Sequence, residues 1–93
     1  MSYAKKVDKN QTVVVKALRD YGAQVHHLHM VAKGMPDIMV CYADQTILME
    51  IKDGPDKKLT PDQIKLFANW IGGPLYRVNS VQEAIEVLKS YEF

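Results

Sequence analysis

Two short apolar runs, Ile38-Met39-Val40-Cys41-Tyr42 and Thr46-Ile47-Leu48-Met49, flank a polar Ala43-Asp44-Gln45 break. Runs of this length around a short break read as a β-hairpin. Upstream, Asp8 to Tyr21 carries apolar residues at helical spacing: Val14, Ala17, Leu18 and Tyr21. Asp8 is its expected N-cap, Gln11 takes the third helical position, and Gly22 is the stop. The β-branched Val13-Val14-Val15 run argues against that helix. Gln24 to Met30 reads as a strand, and Val31 to Met35 as a loop punctuated by Gly34 and Pro36. Thr60 to Ile71 is the best-signalled helix. Thr60 caps it, Pro61 opens it, and Gln63 completes a capping box. Ile64, Phe67, Ala68 and Ile71 are its expected core stripe, with Leu66 and Trp70 on an adjacent face. After Gly72-Gly73-Pro74 come a strand, Leu75 to Val78, and a helix capped by Ser80 with Glu83 closing a second capping box. Val81, Ala84, Ile85 and Leu88 are that helix's apolar stripe.

The order is therefore α-β-β-β-α-β-α. Parallel neighbours need a crossover, and the helix between the third and fourth strands supplies one. The expectation is an α/β (α+β) fold, a four-stranded mixed sheet flanked by helices. A chain of 93 residues makes a single domain, 1–93. Composition is near globular averages.

Charge narrows the partners only slightly. A net charge of +1 is weak for a nucleic-acid binder, so positive charge would have to be local, doubled in a dimer, or added by a bound metal. The single cysteine, Cys41, allows no disulfide within the chain and reads as a small core hydrophobe, which fits a reducing cytoplasm. No apolar N-terminal run marks a signal peptide, and nothing approaches a membrane span. The expected location is cytoplasmic.

The hairpin carries the chemistry. With a two-residue turn at Asp44-Gln45, Ala43 faces Thr46, Met39 faces Glu50 and Asp37 faces Lys52. Asp37, Glu50 and Lys52 then share one face, whereas a one-residue slip would turn Asp37 away. Two carboxylates at close quarters repel, and a divalent cation removes the conflict. Hard oxygen ligands suit Mg2+ or Mn2+, which acidify water and offset charge on a phosphate. Lys52 would orient or deprotonate that water, or stabilise the phosphate's developing charge. The plain reading of the same residues is a strand-end cap for Asp37 and an ion pair for Glu50 and Lys52. Lys33, Gly34, Lys57 and Lys58 flank this face and either meet phosphate or form solvated loops. Residues Ser2 to Lys9, with Lys5, Lys6 and Lys9, are either a polar lead-in or a basic arm. His26, His27 and His29 lack a third ligand at a zinc-like spacing and read as a site-rimming strand.

Gly34-x-Pro36-Asp37, the hairpin, Glu50-x-Lys52 and Leu59-Thr60-Pro61-Asp62-Gln63 together resemble the VRR-NUC family of the PD-(D/E)XK nuclease superfamily. The likeness is to its small stand-alone phage-type members and spans roughly Lys9 to Tyr91. It implies an αβββαβα restriction-endonuclease-like core and a metal-dependent DNA endonuclease. Asp37, Glu50 and the Ile51 carbonyl would hold Mg2+ or Mn2+, Lys52 would act on water, and Gln63 would hydrogen-bond the water or the scissile phosphate. It further implies a homodimer acting on branched DNA, as a Holliday-junction resolvase does, in the host cytoplasm for a phage protein. The chain departs from the pattern in helix 1, where the family usually places a metal-binding glutamate. Lys9, Asn10 and Gln11 stand there, Gln11 matching a glutamine of the pattern, and Asp8 is the nearby acid. That departure favours the alternative, a catalytically weak DNA-binding or docking module with the same fold.

Overall fold

Alternating burial along the two central runs builds the sheet. Ile38, Val40, Ile47, Met49 and Ile51 are buried on one face, joined by Val25 and Val78 from the outer strands. A computed structural model describes residues 9–28 and 30–92. It contains α1 (Gln11–Asp20), β1 (Gln24–His27), β2 (Ile38–Tyr42), β3 (Gln45–Ile51), α2 (Pro61–Asn69), β4 (Leu75–Val78) and α3 (Val81–Lys89). The sheet order is β1-β2-β3-β4. The first three strands are antiparallel and β4 runs parallel to β3, as a helical crossover requires. Helices flank this mixed sheet in an α+β fold. Val14, Val15 and Leu18 of α1 and Ala84 and Leu88 of α3 close the core over the apolar face. No helix among the described residues is long and apolar enough to cross a membrane.

The hairpin register differs from the sequence expectation by two residues. Tyr42 pairs with Gln45 and Cys41 with Thr46, so the two-residue turn is Ala43-Asp44. Both turn residues have positive φ, 51° and 62°. This is the conformation that matches the strands' twist, and Asn-Gly, its usual signature, is absent here. Met39 faces Leu48, and one step beyond the Ile38–Met49 pair Asp37 falls opposite Glu50. An even shift leaves every side chain on its expected face.

Three other expectations change. Helix α1 begins at Gln11 with Asn10 as its N-cap, without a side-chain capping bond. Asp8, the basic arm residues Ser2 to Asp8, and His29 lie outside the described residues. Its buried residues are Gln11, Val14, Val15 and Leu18, while Tyr21 is exposed at the C-cap. Helix α2 has the expected capping box but ends at Asn69, and its expected core stripe is not buried. Ile71 is 98% exposed and Ile64 55%. The sheet-facing side is instead Gln63 with half-buried Leu66, Phe67 and Trp70, spaced at i, i+3, i+4 and i+7. A polar residue leads that face, which hid it from a reading of apolar spacing. Finally, Ser80 caps α3 as expected, but Glu83 accepts from the Asn79 N–H at 2.7 Å, one residue before the cap. Cys41 is half-buried on the α2 side, outside the core cluster.

Candidate active site

The site stands where β2 and β3 separate at one end of the sheet. Pro36 turns the chain away from β3, and the Leu28 N–H donates to the Asp37 carbonyl at 2.8 Å, extending the β1–β2 pairing by one bond. The Asp37 carboxylate fills the opening. Its Oδ2 accepts the Ile51 N–H at 2.7 Å. Alternation then sets Glu50 and Lys52 on the sheet face opposite the main core. Asp37, Glu50 and Lys52 are 3%, 1% and 8% exposed. Lys52 Nζ lies 3.5 Å from Glu50 Oε2. The Lys52 N–H donates to the Val78 carbonyl at 2.9 Å, so β4 holds the end of β3 in place.

Gln63 joins α2 to this cluster. Its Oε1 accepts the Thr60 N–H at 2.9 Å and closes the capping box. Its Nε2 donates to Glu50 Oε2 at 2.9 Å. The capping role and the site role are therefore performed by one amide. Gly34 makes the fit possible. Its φ is +78°, and a Cβ there would meet the Asp62 carbonyl oxygen at 2.8 Å. The loop before β2 thus lies directly against the first turn of α2.

Burying charges is expensive unless they are paired and hydrogen-bonded. This cluster gathers two carboxylates and one ammonium, so the plain roles, a strand-end cap and an ion pair, are both present. The donors also fit a hard divalent cation. Asp37 and Glu50 offer carboxylate oxygens. The Ile51 carbonyl leaves the strand on the same side as its N–H, which faces Asp37. Among the described residues no three His, Cys, Asp or Glu side chains group to hold a metal ion, so any such site here is completed by neutral oxygens or water.

Two residues that sequence reading left without a role border the cluster. Asn10 Nδ2 donates to the Lys52 carbonyl at 3.0 Å and the Asn79 carbonyl at 3.2 Å. Gln11, 2% exposed, approaches His27 Nδ1 through Nε2 at 3.2 Å. Asn10 Oδ1 and Gln11 Oε1 are buried and have no hydrogen-bond partner. A third, Arg77, sits beside Glu50 on β4 and donates to the carbonyls of Gly54, Pro55 and Lys57. A lone arginine inside the Leu75–Val78 strand was the available signal. Lys33, Lys57 and Lys58 are exposed around the site, and His26 and His27 are exposed on edge strand β1.

Comparison with family models, curated proteins and solved structures finds no match for this chain.

Proposed function

We propose that this chain is a metal-dependent DNA endonuclease that hydrolyses phosphodiester bonds, of the kind the VRR-NUC resemblance implies. The observation that supports the reading is the buried convergence of Asp37, Glu50, Lys52 and Gln63 at one sheet end. Asp37, Glu50 and the Ile51 carbonyl would hold Mg2+ or Mn2+. When bound, the cation supplies an acidified water and neutralises charge on the phosphate. Lys52 orients the attacking water or stabilises the phosphate oxygens. Gln63 fixes the rotamer of Glu50 through a hydrogen bond that α2's own capping box positions. Lys33, Lys57 and Lys58, with the backbone at Gly34, contact the DNA strand as phosphate-positioning groups.

The preferred substrate under this reading is branched DNA, cut by a homodimer whose two-fold axis relates two sites. The exposed Ile64 and Ile71 give such a pair an apolar surface to share. The proposed location is cytoplasmic.

The test is cleavage of a labelled four-way junction and a matched linear duplex with Mg2+ or Mn2+, using Asp37→Asn and Lys52→Ala as controls. Junction cutting by the parent chain that both variants lose is the expected result. Tight junction binding by all three chains without cutting would replace the enzyme with a DNA-docking module.

A further inference from the structure

The first turn of α1 is stretched across the end of the sheet. Asn10 is tied to the carbonyls of Lys52 and Asn79, at the ends of β3 and β4. Gln11, the next residue, is tied to His27 on β1. In the order β1-β2-β3-β4 the strand between these ties is β2, and the residue at its open end is Asp37. The Gln11 amide is therefore buried beside the carboxylate that leads the proposed metal site. Its Oε1 is shut off from solvent and has no hydrogen-bond partner.

A buried acceptor without a partner costs free energy, so native chains leave one only where something else satisfies it. The missing partner must be a donor or a cation. Carboxylates and carbonyls, which are themselves acceptors, surround this position. We infer that Gln11 Oε1 is a neutral oxygen ligand of the divalent cation held by Asp37 and Glu50. The inference rests on the endonuclease reading and deepens it. Its chemical content is that an amide stands where an acid would add a third negative charge. The site then holds one hard cation with two carboxylates and two carbonyl oxygens, a lower-charge set that binds more weakly than a three-carboxylate set. The Nε2 contact with His27 sets the plane of the amide.

The experiment is calorimetric titration of the full chain with Mn2+, together with its melting temperature without metal. The chains compared are the parent, Asp37→Asn, Gln11→Leu and Gln11→Glu. The parent is expected to bind Mn2+ and Asp37→Asn to lose it. Gln11→Leu should weaken binding by about tenfold while melting no lower than the parent without metal, since it removes a buried oxygen that had no partner. Gln11→Glu should bind more tightly than the parent. Should Gln11→Leu fail to fold, Gln11→Glu, of nearly the same shape, decides the matter alone. If the parent binds and both Gln11 variants bind as it does, the oxygen is satisfied by water and this inference is overturned while the metal site stands. If the parent binds no Mn2+, both readings fall together.

Discussion

Gln63 Nε2 lies 2.9 Å from Glu50 Oε2 while the same amide accepts the Thr60 N–H at 2.9 Å. One side chain thus starts a helix and holds a buried carboxylate on a neighbouring strand. The two roles separate by mutation. Thr60→Ala removes the cap oxygen and should cost about 1 kcal/mol, leaving the Glu50 contact and DNA cleavage intact. Gln63→Ala removes the donor to a buried charge and should cost about 2–3 kcal/mol, with cleavage slowed as well. Urea denaturation and junction cleavage on both variants make the check. Equal losses from the two substitutions would reduce Gln63 to a capping residue.

A second cluster ties the C-terminal end of the chain to the far side of the sheet. Tyr42 and Tyr21 both donate to Glu92 Oε2, at 2.5 and 2.9 Å. The Glu92 carboxylate pushes Tyr42 up from 10.0 to about 12 and raises Tyr21, while the two phenols hold Glu92 below its ordinary value. A raised phenol adds stability that is complete below its ordinary value and is lost as pH climbs through the raised one. A depressed carboxyl adds stability that is lost as pH falls. The clamp is therefore whole from mildly acidic to mildly alkaline pH and opens at either end. In Glu92→Gln the Tyr42 phenol should titrate near 10.0, whereas Tyr91, raised to about 12 by its bond to Tyr76, should not move. An ultraviolet titration of phenolate reads both. An unchanged alkaline titration in the variant would mean that Glu92 does not hold Tyr42.

The fold was legible wherever local chemistry dictates it: the β2–β3 alternation, the Thr60-Pro61-Gln63 start of α2, and the crossover that makes β4 parallel. The grouping of Asp37, Glu50 and Lys52 was legible for the same reason, since alternation survives an even error in register. The parts that stayed hidden depend on relations between distant residues. Nothing local shows that Gln63 leads the sheet-facing side of α2, because the contact that buries it is thirteen residues away at Glu50. The ties of Asn10 to Lys52 and of Arg77 to the Gly54–Lys57 loop arise only once the strands are assembled.

The turn itself was misplaced for a physical reason that yields a third prediction. Ala43 and Asp44 adopt φ of 51° and 62°, a region that disfavours a residue with a Cβ such as Ala43. Supplying the residues that prefer it, Ala43→Asn with Asp44→Gly, should stabilise the chain by about 1–2 kcal/mol. The urea midpoint should rise with no change in the slope. No gain would mean that the strained turn is stabilised by contacts the native pair makes.

Arg77 offers a fourth. Its guanidinium donates to Asn79 Oδ1 and to the carbonyls of Gly54, Pro55 and Lys57, so it splints the loop that carries Lys57 and Lys58. Arg77→Met keeps the length of the side chain and removes the donors. Tryptic cleavage after Lys57 and Lys58 should accelerate well beyond what the fall in global stability, about 1 kcal/mol, accounts for. Cleavage in step with global unfolding would show that the loop is held by something else.

The last prediction concerns the approach of two backbones. A Cβ on Gly34 would stand 2.8 Å from the Asp62 carbonyl oxygen and 3.1 Å from its carbon, atoms of the first turn of α2 that cannot swing aside like a side chain. Gly54 has φ of +108° but nothing within 4 Å of an added Cβ. Gly54→Ala should therefore pay for backbone strain alone, about 1–2 kcal/mol. Gly34→Ala adds a steric displacement of α2 and should lose about 2–4 kcal/mol. That displacement has a second reading: α2 carries Gln63, so moving it stretches the bond to Glu50 and speeds hydrogen exchange of the Gln63 side-chain amide. Exchange there should quicken in Gly34→Ala and not in Gly54→Ala. If the two glycines prove equally tolerant of alanine, the Gly34 loop does not position α2, and the coupling between the G-x-P-D loop and Glu50 has no structural basis.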